Sequence, residues 1–308
     1  MNSYHEGQKV MGRTGHALGI LSPGSPEDLR HRGFFGVSAE VAVKAWNRME
    51  ELDLLPTIAQ YEHYLWALAF MRAYPPNEST LSRLLGGKDP KTIQKYIWPY
   101  IQSLAELENI VVSLCFVSCF MFHTTHILSY QINFEDRKKG DTLNDCMLSV
   151  DGTDFRLAMG YSKPFYSHKF KKSGVRYEVG LCIKTGDICW WNGPYEPGIW
   201  NDEMIFKDGL VSMLEYGERC EADGGYRGSA PEYVKCPKGV WGETESQAIQ
   251  QRVRSRQETV NARFKNWAIL VTPYRHDFRL HQTVFAAIIV LTQLSFEYNP
   301  LFSVDYND

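Results

Sequence analysis

Ser149-Val150-Asp151-Gly152-Thr153-Asp154-Phe155 decides how the rest of the chain is read. An apolar run ends on an acid and a glycine follows, the pattern of a buried strand that carries a carboxylate to the edge of a sheet. A second such point lies downstream, where Arg219-Cys-Glu-Ala-Asp223 runs into Gly224-Gly225. Cys146 to Val150 is the strand leading into Asp151, and Arg176 to Ile183 and Ile188 to Trp191 read as two further strands. Lys184-Thr-Gly-Asp187 supplies a hairpin turn between the last two. Helical spacing covers Asn201 to Tyr216, Glu243 to Trp267 and Asp277 to Glu297. Together they predict an α/β domain over 133–308, with a mixed sheet and flanking helices.

Before it, 1–30 is rich in Gly, Pro and Ser and reads as an irregular arm. Residues 31–110 read as a small all-α domain: a helix capped by Ser38, another from Thr57 to Ala73, then Ser79 to Leu85, Gly86-Gly87, and a basic helix capped by Asp89 with Pro90 at its first position. The last pair has a helix-turn-helix pattern in which Lys88, Lys91 and Lys95 are candidates for phosphate contact. An ordinary helical bundle with solvated lysines fits equally. Between the two domains lies an anomalous apolar segment, 111–132, too short and too soon broken by polar residues for a membrane span of about 20 residues.

Composition bounds the function. The 308 residues carry a net charge of −3, so no global basic field announces nucleic acid and any such contact must be local. The seven cysteines form no Cys-x-x-Cys pair and predict reduced thiols, neither a zinc site nor a disulfide framework. The polar N-terminus has no apolar signal core, so secretion is not expected.

The candidate chemistry lies in three acids, Asp151, Asp223 and Glu258. Two strand ends and an adjacent helix can converge on one point, and three carboxylates there repel unless cations bind. Arg254, Glu258 and Lys265 fall on one face of the long helix at offsets of four and seven residues. Residues 163–176 hold five Lys or Arg, no acid and interleaved aromatics, a pattern suited to tracking a nucleic-acid backbone through Lys169, Lys171 and Lys172. Arg252, Arg254 and Arg256 add a second basic run. Asp202 competes with Asp223 for the second position, but reads better as a helix N-terminal residue; Asp154 and Glu221 are weaker rivals. His276 and His281 read as surface or packing residues.

On these residues the C-terminal half resembles the DDE endonuclease domain of the PIF/Harbinger transposase superfamily. The matching pieces are Val150 to Phe155, Trp200 to Phe206, Ala222-Asp-Gly-Gly-Tyr-Arg-Gly228, and Arg254 to Lys265, with 34 residues between Asp223 and Glu258. Arg254, Glu258 and Lys265 fit the signature of bacterial relatives, whereas Gln251 stands at its tyrosine position. The resemblance implies a ribonuclease H-like fold with Asp151, Asp223 and Glu258 as ligands of two Mg2+ or Mn2+ ions. It also implies nuclear cutting and joining of DNA at transposon ends, with a Myb-like DNA-binding protein or a second copy of the chain as partners and no membrane. The alternatives are a catalytically silent, domesticated DNA-binding or scaffold protein, and a hydrolase of small phosphoesters. Set against such relatives, 112–131 is surplus and reads as a translated retained intron, or else as a genuine apolar helix.

Overall fold

The computed structural model describes residues 24–108, 134–138, 146–237 and 245–304. The apolar segment 111–132 and most of the N-terminal arm lie outside these. The chain divides into two compact units: a helical one, 1–131 with 264–272 and 276–299, and a sheet unit, 132–263 with 273–275 and 300–308.

The helical unit begins earlier than expected. Helix α1, Pro26–Phe35, starts inside the expected arm because Ser25 caps it through the Asp28 amide at 3.2 Å and proline occupies its first turn. Helix α2, Ala39–Glu51, is capped by Ser38 as the sequence indicates. Helix α3, Tyr61–Ala73, is buried on nearly every side and ends where Tyr74 takes a φ of 38° ahead of Pro75. Helix α4, Glu78–Leu84, and helix α5, Pro90–Glu106, are joined through Gly86 and Gly87, both with φ near 80°, a conformation that only glycine adopts without strain. Asp89 caps α5 through the Thr92 amide at 2.9 Å. Helix α8, Ala268–Val271, packs on α3, and helix α9, Leu280–Phe296, packs on α5 and α2. Helix α9 was expected within the sheet domain, but its all-round apolar surface is buried against the N-terminal helices. His281, on α9, is fully buried, and burial pushes its imidazole down to about 3; His276 packs edge-on to Phe70 and Trp98.

The sheet unit holds six strands: β1, Cys146–Arg156; β2, Tyr166–Ser167; β3, Lys172–Cys182; β4, Ile188–Tyr195; β5, Arg219–Ala222; and β6, Val234–Lys235. Their order is β2-β3-β1-β5-β6, with β4 also on β3. Strand β3 runs antiparallel to β1, β2 and β4, while β5 is parallel to β1 and β6 to β5. The mixed α/β architecture is thus as the sequence indicates. Leu148, Val150, Phe206, Leu210 and Tyr226 form a core on one face. Helix α6, Asp202–Asp208, is shorter than expected: Gly209 lies against Asn192 and Trp190 of β4, and the chain continues as a 3-10 turn over Leu210–Met213. Helix α7, Glu245–Phe264, covers the sheet, and two of its side chains stitch it down. Gln257 accepts from Ser149 Oγ at 3.0 Å and donates to the Val179 carbonyl at 2.9 Å; Asn261 Nδ2 donates to Asp151 Oδ2 at 2.8 Å.

The five cysteines among the described residues are free, four of them buried, in keeping with reduced thiols. Among the described residues no helix is long and apolar enough to cross a membrane.

Candidate functional site

Asp151 does not end its strand, as the sequence suggests; β1 continues to Arg156 along β3. What ends beside Asp151 is the parallel pairing, whose last register is Val150 with Ala222. The next residue on each strand is an acid, Asp151 on one and Asp223 on the other. Released from the ladder, β5 turns away through Gly224–Ser229, and Asp223 caps that turn by accepting the Gly225 amide at 2.7 Å. Two carboxylates are therefore neighbours because a parallel register stops there.

A third acid joins them. Asp202, the first residue of α6, is capped in place by Asn201 and turned inward rather than standing as a plain helix-start residue. A methyl group at Gly152 would collide with its Oδ1, and one at Gly225 would lie 3.1 Å from its Oδ2 and 2.9 Å from Asp223 Oδ1. Gly152 leaves the space that Asp202 fills, and Gly225 lies close beside it. Burial, and then the charges of Asp223 and Asp202, push the half-buried Asp151 carboxyl up to about 7, while Lys169 acts in the opposite sense. Asp202 is also raised, first by burial and then by Asp154 and Asp223, against the opposing pull of Arg176 and Lys169.

Asp154, one of the weaker rivals, faces a different environment. It accepts from Arg176 at 2.7 and 3.1 Å and from Ser167 Oγ at 2.5 Å, a saturated buried ion pair. Glu221 is buried on β5, 3.9 Å from Lys235. Glu178 is the remaining acid of the inner face. It takes a hydrogen bond from Trp190 Nε1 at 3.0 Å, and burial pushes its carboxyl up to about 8.

Glu258 is exposed on α7. At 100° per residue it shares a stripe with Arg254 and Asn261, so it stands on the solvent side of the amide that holds Asp151. Among the described residues no group of three or more His, Cys, Asp or Glu side chains is arranged to hold a metal ion. Asp151 and Asp202 each feel the charge of Asp223, and Glu258 stands exposed on α7.

The basic residues divide similarly. Lys169, Lys171 and Lys172 are exposed on the hairpin joining β2 to β3, where the Lys171 amide closes the turn on Ser167 at 2.8 Å. Lys169 is the one whose charge reaches Asp151 and Asp202. The arginine run does not act as one patch, because alternate positions on a helix face opposite ways. Arg254 lies near Cys236, whose thiol bonds the Asp223 carbonyl at 3.1 Å. Arg256 is buried and holds the carbonyls of Ile183 at 2.7 Å and Phe302 at 2.9 Å, and Arg252 reaches the Ser303 carbonyl. Lys265 is exposed just beyond α7. In the helical unit Lys91 and Lys95 are exposed, but Lys88 is engaged by Glu62 at 3.3 Å and sits over Trp66.

Three working residues escaped the sequence reading in that capacity: Asn261, Gln257 and Arg176. Asn261 carried a signal, since it falls on the Arg254–Glu258 stripe, three residues beyond the glutamate. Arg176 was legible only as a positive charge, because its partners come from other segments. Against this geometry, no family model, no curated protein and no solved structure matches the chain.

Proposed function

We propose that the sheet unit is a divalent-metal-dependent DNA nuclease of the DDE type, built on a ribonuclease H-like sheet, that cuts and joins phosphodiesters at transposon ends. The observation that carries this reading is the pairing of Asp151 with Asp223 where the parallel β1–β5 register stops, beside the Lys169 hairpin. The carboxylate oxygens of Asp151 and Asp223 are hard donors of the kind a divalent cation takes, and burial, then the neighbouring acids Asp223 and Asp202, holds Asp151 well above the usual carboxylate range. Asp151, Asp223 and Glu258 would hold Mg2+ or Mn2+. Such ions lower the pKa of a bound water or hydroxyl and stabilise the departing oxygen.

This chain's own residues prepare that site. Asn261 fixes the Asp151 carboxylate by its 2.8 Å hydrogen bond. Gln257 locks α7 to β1 and β3, which sets where Glu258 stands. Lys169, Lys171 and Lys172 would engage phosphates on the approach to the acids, and Arg254 and Lys265 would extend that contact along the α7 stripe. A nuclear location and a separate Myb-like DNA-binding partner belong to the same proposal.

The test is nicking of supercoiled DNA by purified protein with Mg2+ or Mn2+, comparing wild type with Asp151→Asn. Loss of nicking by about a hundred-fold or more in the variant is expected. Equal activity in both proteins, or none with either metal, would defeat the nuclease reading. A second reading, a catalytically silent DNA-binding protein, is favoured by the exposed Glu258 and the absence of a formed three-acid metal group among the described residues. It predicts salt-dependent DNA binding that Lys169→Ala weakens, without nicking.

A further inference from the structure

Residues 155–176 carry six Lys or Arg and no Asp or Glu. Arg176 is taken by Asp154, while Arg156, Lys163, Lys169, Lys171 and Lys172 are exposed. Rings stand among these cations. Tyr161 is 79% exposed, its ring centroid lies 5.8 Å from that of Tyr166, and Tyr166 meets the exposed His168 edge to face at 5.2 Å. The Arg156 guanidinium lies over the Phe170 ring at 4.9 Å. One stretch of the sheet unit thus presents a chain of three rings amid exposed positive charge.

The backbone beneath the rings is pinned. Ser173 Oγ donates to the Gly160 carbonyl at 2.8 Å, directly before Tyr161. The Gly198 amide donates to the Pro164 carbonyl at 2.7 Å, and the Gly174 amide to the Phe165 carbonyl at 2.8 Å. A methyl group at Gly198 would strike the Lys163 carbonyl, so the two segments are in close contact. A ring held ready on a fixed backbone meets a partner with little further ordering cost.

Charge and ring together narrow the partner. Lysines on phosphates serve a duplex and a single strand alike. An exposed ring face adds to binding only when a base is free to stack on it, and in a duplex the base faces are covered by their neighbours. Exposure alone decides nothing: Tyr216 is fully exposed too, but it stands between Glu215 and Glu218. What sets Tyr161 apart is the acid-free basic segment around it and the chain of rings it heads.

We propose that the Tyr161–Tyr166–His168 surface stacks the bases of unpaired DNA, so that the sheet unit takes single-stranded or frayed DNA in preference to duplex. Tyr161 supplies the outermost ring, and Lys163, Lys169, Lys171 and Lys172 hold the phosphates. The inference rests on the DNA reading above and deepens it by naming the form of DNA that the Lys169 hairpin receives.

The experiment is fluorescence anisotropy at one fixed salt concentration, with a labelled thymidine strand of about 16 nucleotides, alone and paired with its complement. The proteins are the full chain as wild type, Tyr161→Ala, Tyr161→Phe and, as a control, Tyr216→Ala; both tyrosines are exposed, so neither change removes core packing. Wild type should bind the single strand about ten-fold more tightly than the duplex. Tyr161→Ala should lose about ten-fold on the single strand and stay within about two-fold on the duplex, while Tyr161→Phe and Tyr216→Ala keep the wild-type values. Equal wild-type affinity for the two DNA forms, wild-type affinity of Tyr161→Ala for the single strand, or a Tyr161→Phe as weak as Tyr161→Ala would overturn the inference. So would binding to phosphatidylserine vesicles in place of DNA. The nicking assay with Asp151→Asn separates the two readings. Nicking that depends on Asp151, with no single-strand preference, overturns the inference and leaves the nuclease reading standing. A single-strand preference that depends on Tyr161, with no nicking, supports the inference and defeats the nuclease reading.

Discussion

Replacing Asp151 by Asn should stabilise the protein at neutral and higher pH while it abolishes function. The carboxyl is held at about 7 rather than its ordinary 3.8, by burial and by Asp223 and Asp202, with Lys169 only partly offsetting them. An acid raised in the folded state binds its proton more tightly there than in the unfolded chain. Its cost to folding is therefore absent below the ordinary value, grows as pH rises toward about 7, and is complete above that. At 1.36 kcal/mol for each tenfold change the full cost is about 4 kcal/mol. Water reaching this half-buried group screens part of it, leaving about 2 kcal/mol at pH 8. Asn keeps an oxygen to accept the Asn261 hydrogen bond, so the substitution removes the charge and little else. The assay is thermal or urea unfolding with a chelator present, at intervals from pH 5 to pH 8.5. At pH 8 the variant should melt about 4–8 °C above wild type, with a smaller advantage at pH 5. A variant less stable than wild type at pH 8, or an advantage independent of pH, would refute the electrostatic account of the site.

Three further outcomes follow from the same contacts. Lys169→Ala should weaken DNA binding and reduce the slope of log affinity against log salt by about 1, measured by fluorescence anisotropy, whereas Lys88→Ala should leave that slope alone because Lys88 is engaged with Glu62 and Trp66. Gln257→Leu should destabilise the chain by about 2 kcal/mol in urea unfolding, because the Val179 carbonyl and Ser149 hydroxyl lose their buried partner. Glu218→Gln should cost about 3 kcal/mol, read the same way, since Arg137 meets Glu218 at 2.8 and 3.2 Å with both side chains almost wholly buried and would keep the exposed Glu135 as its charged partner among the described residues.

The sequence told most where a local rule acts alone. Ser38 and Asp89 were legible as helix caps, and Gly86-Gly87 as a turn, because each depends on its immediate neighbours. The acids at 151 and 223 were legible as ends of apolar runs, although it is the parallel pairing that stops there and not the strand. Less legible was anything set by distant partners. Asp202 has the pattern of a helix start, and the space it turns into is left by Gly152, from another segment. Arg256 reads as part of a basic patch until the carbonyls of Ile183 and Phe302 claim it. Helix α9 reads as the last element of the sheet domain by position, and only the buried faces of α2 and α5 show where it belongs.

That last placement bears on how the protein comes to exist. In sequence the sheet unit is inserted within the helical one: α1 to α5 are made first, then the whole sheet, and only afterwards the α8 and α9 that pack on α2, α3 and α5. During synthesis the early helices must wait, apolar faces uncovered, while more than half the chain is still to come. Helix α5, whose Ile97, Tyr100 and Ile101 are wholly enclosed in the finished unit, gains α9 as its last neighbour. A ribosome that stalls beyond α7 therefore releases a chain whose sheet is complete in sequence and whose helical unit lacks its closing helix, a product for chaperones and proteases to recognise.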